Sequence, residues 1–215
     1  MSFLAVALCA RADIIHGQPP LLCDNSAVGF VPSDLSLEFS PGSFQVVDDF
    51  ILDGPAAVEE ISWWVVGGSQ GADDFTVRLF TGSLDSPTLM AELVPDTVSS
   101  AAAEYSAPLP GDLTLDVWAY NFQVQSPIAL EAAAPYSISI LNNTTGSPDW
   151  AWRLGSGNNR FGARISDADE WQEAPVLDVA YEISGTVVPE PATLTLLALG
   201  LAGYLVKRRR RGGGM

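Results

Sequence analysis

Four acidic clusters, a single histidine and six tryptophans are the residues of this 215-residue chain with chemistry to offer. Asp48-Asp49, Glu59-Glu60, Asp73-Asp74 and Asp167-Ala168-Asp169-Glu170 each set carboxylates side by side. Clustered loop carboxylates can hold a hard cation, so Asp73, Asp74, Asp167 and Asp169 are the candidate Ca²⁺ ligands, and no other cofactor is expected. Paired carboxylates also serve glycan hydrolases, which need two at a set separation with unlike pKa values. Within a strand, neighbours face opposite ways, so Asp48 and Asp49 share a site only across a bulge. Solvated loop ends and turn caps are the plainer reading of all four clusters.

Nucleophilic and zinc chemistry fail on inventory. His16 is alone, Cys9 and Cys23 are the only cysteines, and neither a Ser-His-Asp set nor zinc-ligand spacing can be assembled from them. A glycine-rich phosphate loop is absent too. The expectation is therefore a protein that is not an enzyme. Among Trp63, Trp64, Trp118, Trp150, Trp152 and Trp171, the adjacent pair must split between two faces of a strand, while Trp150 and Trp152 share one. Trp64, Trp150 and Trp152 are thus candidates for an aromatic platform that stacks on sugar rings, as in a carbohydrate-binding module; as core residues they would only pack.

The elements that must position these residues read as strands. Runs over 44–52, 58–66, 75–81, 89–94, 113–124, 136–141, 150–154 and 177–184 are rich in β-branched and aromatic residues and are bounded by turn formers such as Asp53-Gly54-Pro55, Thr81-Gly82-Ser83 and Thr145-Gly146-Ser147. Alternation in Phe75, Val77, Leu79 and in Tyr136, Ile138, Ile140 predicts one buried face for each of those strands. The stretch 98–107 reads either as a helical turn over 101–104 or as an edge strand. Residues 13–43 carry weak pattern and read as an irregular arm. The whole predicts an all-β fold: a single antiparallel β-sandwich over 44–186, jelly-roll-like, followed by one C-terminal transmembrane helix.

Both ends of the chain carry compartment signals. At the N-terminus a short apolar run, 3–10, leads to Ala10-Arg11-Ala12, where Ala10 and Ala12 have the small-x-small form of a signal-peptidase site. Because the charged leader is missing, 1–12 reads as a truncated signal peptide; an ordinary buried strand is the other reading. At the C-terminus Pro189-Glu190-Pro191 precedes an uncharged stretch, 192–206, and then Lys207, Arg208, Arg209, Arg210 and Arg211. As a helix that stretch reaches only about 22 Å, shorter than a hydrocarbon core of about 30 Å. Snorkelling of the long basic side chains lets a thin bilayer hold it. Five cations do not readily cross, which keeps the tail in the cytoplasm and the rest outside.

Charge follows the same division. The formal net charge is −16. Setting aside Arg11, Glu190 and the five terminal cations leaves 25 acids against Arg78, Arg153, Arg160 and Arg164. A domain so acidic repels nucleic acid, and no nucleic-acid partner is expected.

The ordered trio of Pro-Glu-Pro, apolar stretch and basic cluster over residues 187–211 resembles the PEP-CTERM sorting signal of Gram-negative bacteria that make exopolysaccharide. The resemblance implies that Pro189, Glu190 and Pro191 are a recognition element for an exosortase-like membrane protease and that 207–211 are the cytoplasmic stop. Val47-Asp48-Asp49-Phe50, Ile61-Ser62-Trp63-Trp64, Asp74 to Phe80, Tyr136 to Ile140 and Trp150-Ala151-Trp152 look like the recurring ectodomain of many such proteins, although Val65 stands where a glycine often follows the paired tryptophans. The expectation is a protein first held in the inner membrane with its ectodomain outside the cytoplasm, then at the cell surface or extracellular after processing. Its partners would be the exosortase, the inner membrane and exopolysaccharide of a biofilm.

Overall fold

The computed structural model describes residues 12–20, 30–32, 44–66, 74–84, 86–95, 98–109, 113–144, 151–155, 160–175 and 178–189. The described residues are all-β and form two antiparallel sheets. The C-terminal stretch read as a helix lies outside them, as do Ala10, Cys9, Cys23, Asp73, Trp150, Glu190, Pro191 and residues 207–211.

Strands β1 (Asp13–Gln18), β14 (Tyr181–Val187), β4 (Ala56–Val66), β10 (Ala151–Gly155) and β13 (Asp178–Val179) make the spine of the first sheet. Strand β8 (Leu113–Leu130) pairs with β4, β7 (Ser99–Leu109) with β8, and β2 (Phe30–Pro32) with β10. The second sheet runs β12 (Gln172–Pro175), β11 (Arg160–Arg164), β3 (Gln45–Ile51), β9 (Pro135–Asn142), β5 (Phe75–Thr81) and β6 (Thr88–Leu93).

Side chains from both sheets share one core, in which Val46, Phe50, Val77, Leu79, Ile138 and Ile140 meet Val58, Ile61, Trp63, Tyr120, Phe122 and Ile183. Trp63 stacks on Tyr120 with ring centroids 5.6 Å apart, and Phe75 meets Trp63 edge-on at 5.1 Å. Each such ring pair adds about 0.5–1.5 kcal/mol beyond its area burial. The alternation in β5 and β9 places Phe75, Val77, Leu79, Ile138 and Ile140 inward as the pattern requires. The opposite face is also covered, since Phe80, Ser137, Ser139 and Leu141 are buried as well. Val47, Phe80 and Leu84 form a second apolar cluster there under Trp171.

The structure adds to the sequence reading: β11 and β12 fall outside every predicted run, and one of the two readings of 98–107 is selected. The arm over 13–43 contains two strands, β1 and β2, whose ladders come from β14 and β10 rather than from local pattern. The ambiguous stretch 98–107 is strand β7, because β8 offers it a long partner. The run over 177–184 is split at Ala180. Its N–H donates to the Arg153 carbonyl (2.7 Å), while its carbonyl accepts from the N–H of Trp64 (3.3 Å) and from Trp152 Nε1 (2.8 Å). At that residue the chain stops pairing with β10 and begins pairing with β4. Beyond it, Gly185 sits at a register shift, where a Cβ would come within 1.9 Å of the Ala57 carbonyl oxygen; only glycine lets the strands approach so closely.

Candidate functional site

Strand β14 lies between β1 and β4 and runs straight to the Pro-Glu-Pro element. Val187 pairs with Ala56, and the Val188 N–H donates to the Pro55 carbonyl at 2.8 Å, so the chain is pinned until one residue before Pro189. Val187 and Val188 nevertheless expose their side chains. The turn that receives this exit, 52–55, is tied to the neighbouring 131–134 turn by the Ala133 N–H, which donates to the Leu52 carbonyl at 2.9 Å. The exit is thus held by backbone pairing on a two-loop rim.

Among the described residues, Trp64 and Trp152 do not share a face. Trp152 is 0% exposed, and its indole N–H is spent on the Ala180 carbonyl. The reason is register: Trp152 stands opposite Val65, an inward residue of β4, and directly opposed residues share a face. Trp64 points the other way and is half-buried against Val66 and Val117. Trp150 lies outside the described residues.

The acidic candidates fall into two settings. On the outer face of the second sheet, Asp167 is committed to cations of the protein itself. Its Oδ1 accepts from Arg78 Nη1 at 2.8 Å and from Arg164 Nη2, and its Oδ2 accepts from Arg78 Nη2 at 3.4 Å. Arg78 also pairs with Glu92 at 2.8 Å, and Arg164 donates to Gln45 Oε1 at 2.9 Å while lying 4.2 Å over the Trp171 ring. Partial burial alone would raise the Asp167 carboxyl, but hydrogen bonds from Gln45 and Arg78 and the two arginine charges hold it below its ordinary value. Asp167 is therefore held in an arginine clasp. Asp169 accepts from the Ser166 hydroxyl at 2.8 Å within the β11–β12 turn, and Asp74 donates its N–H to the Thr144 hydroxyl at 2.7 Å. Among the described residues no three His, Cys, Asp or Glu side chains converge to hold a metal ion.

The second setting is interior. Asp48, on the inward side of β3 between Val46 and Phe50, is 0% exposed and reaches across to the other sheet, where its Oδ2 accepts from the Val179 N–H at 2.9 Å. Gln18, with its amide nitrogen turned toward them, donates to Asp48 Oδ2 and to the Val179 carbonyl, both at 3.2 Å. Desolvation pushes the Asp48 carboxyl well above its ordinary value, and the nearby charges of Asp178 and Asp49 push the same way, while the Val179 N–H opposes them. His16 lies beside this seam between the Phe50 and Tyr181 rings, at 5.2 and 5.6 Å, with Nε2 buried and without a hydrogen-bond partner among the described residues. Burial lowers its pKa, and the Asp53 charge offsets part of that. Pattern alone signals this seam only as an acid on the inward register of an apolar strand, and sequence reasoning passed over it.

A model of the PEP-CTERM protein-sorting motif matches residues 187–211. The chain carries a PEP-CTERM sorting motif. Its first residue is also the last of β14, so folded domain and motif meet without a spacer. A PEP-CTERM motif implies an exported protein, anchored in a membrane before processing and recognised by an exosortase, itself a membrane protein. No curated protein matches the chain.

Proposed function

We propose that this protein is an exported, non-enzymatic surface protein, retained in the inner membrane by residues 192–206 and the basic cluster 207–211, and then processed by an exosortase that reads Pro189, Glu190 and Pro191. The observation that carries the proposal is the sorting-motif match over 187–211, in register with the end of β14. Support for the orientation comes from charge, since five consecutive cations follow the uncharged stretch and hold it on the cytoplasmic side. After release the acidic sandwich stands at the cell surface or outside the cell as a structural component. The family resemblance supports a place in an exopolysaccharide or biofilm layer.

Replacing Glu190→Ala together with Pro191→Ala tests the reading. Full-length protein is expected to accumulate in the membrane fraction, with the mature C-terminus seen by mass spectrometry in wild type lost from the released pool. Undiminished release of the double variant overturns the proposal.

A further inference from the structure

The two ends of the sandwich are not alike. One end gathers the 52–55 and 131–134 turns, the start of β1 and the exit of β14, as the pairings Ile51 with Pro135, Ala56 with both Val187 and Leu130, and Asp13 with Gly185 require. Four large apolar side chains stand exposed there: Ile14 at 61%, Ile51 at 59%, Val187 at 57% and Val188 at 45%. They project from both sheets, because Ile51 belongs to the second sheet and the other three to the first or its exit. Of the other exposed large apolar side chains among the described residues, Leu89 and Met90 lie along the edge strand β6, and Val94 and Ile165 lie at the opposite end. Large apolar groups concentrated on one rim mark a surface that contacts something less polar than water.

Chain connectivity selects what that contact is. Val188 is pinned to Pro55, and the four residues from there to the uncharged stretch at Ala192 span at most about 14 Å. On the membrane-retained reading above, on which this inference rests, the apolar rim cannot be far from the headgroups. We infer that this rim, led by Ile14, Ile51 and Val188, seats on the lipid bilayer, so that the sandwich stands end-down on the membrane before processing. Exposed acids on the same rim, Asp13, Asp53 and Glu131, repel anionic headgroups, so the seating is apolar and is strongest on a zwitterionic surface. Burial of a few such side chains at the interface gives a reversible contact that the short tether makes persistent.

The test uses the full chain with Cys9→Ser and Cys23→Ser, reconstituted in phosphatidylcholine vesicles, and single cysteines at Ile14→Cys, Ile51→Cys, Val94→Cys or Ile165→Cys carrying an environment-sensitive fluorophore. Labels at positions 14 and 51 are expected to be quenched by nitroxide-labelled lipid and shielded several-fold from aqueous iodide; labels at 94 and 165 are expected to show neither. Adding phosphatidylglycerol to the vesicles should reduce the shielding at 14 and 51. If the chain floats with the vesicles but all four labels respond alike to iodide, the seating is wrong while membrane retention stands. Failure to float overturns both. Shielding that grows with protein concentration and not with lipid assigns the rim to a second copy and overturns the lipid contact.

Discussion

Asp48 and Asp167 sit on opposite faces of the same six-stranded sheet, and their surroundings push them in opposite directions. Asp48 faces the other sheet, with a backbone N–H and an amide for company, and burial disfavours its charged form. Asp167 faces solvent between two arginines that favour its charged form. A carboxylate is costly where desolvation dominates and mildly useful where paired cations do. The contrast teaches that the acidity of this chain is not one property. Its interior acid joins the sheets, while the outer acid fastens side chains over the surface cluster beneath Trp171.

Breaking the seam itself has the largest expected effect. Trp152→Ala empties a fully buried site and leaves the Ala180 carbonyl without its indole donor; a loss of about 3–5 kcal/mol is expected in chemical denaturation. A loss below about 1 kcal/mol would show that the seam is loosely packed.

Asp48→Asn sharpens the electrostatic half of the contrast. Because the folded carboxyl titrates above the unfolded one, its stabilising contribution is complete below the unfolded value and is lost as pH rises toward and through the folded value. Wild-type melting temperature should therefore carry a downward slope from acid to neutral pH that the variant lacks. Superimposable slopes for the two proteins would remove Asp48 from the account.

Asp167→Asn is the smallest perturbation and has the opposite sign. With the folded value depressed, the contribution of Asp167 is present above its unfolded value and disappears as pH falls. The carboxylate is well exposed, at 61%, so screening limits the loss at neutral pH to under about 1 kcal/mol, vanishing in high salt. A loss that persists in molar salt would mean that Asp167 acts through packing and not through charge.

The strands were legible where side chains alternate and turn formers bound them; β5 spans the same residues in pattern and structure. What pattern missed was held by partners distant in sequence. β1 sets only Ile14 and Ile15 beside Asp, His, Gly and Gln, too short a run to signal a strand, yet β14 supplies its ladder. Ala180 looks like any apolar residue of a continuous run, and its role as the point where the chain changes neighbours exists only in three dimensions. The placement of Trp152 was hidden for a related reason: spacing tells which tryptophans share a face, but only the register with Val65 tells that the face of Trp152 is the inward one. The sorting motif was the most readable feature because its chemistry is local, a turn, an apolar stretch and a charge block in order.

The exit of the chain has a mechanical corollary. Any tension on the tail during extraction or cleavage is applied along the axis of β14, whose neighbours β1 and β4 grip it from both sides. Under such a pull the hydrogen bonds of both ladders are loaded together in shear instead of peeling one after another. A protein hauled by its tail is thus held by two ladders at once.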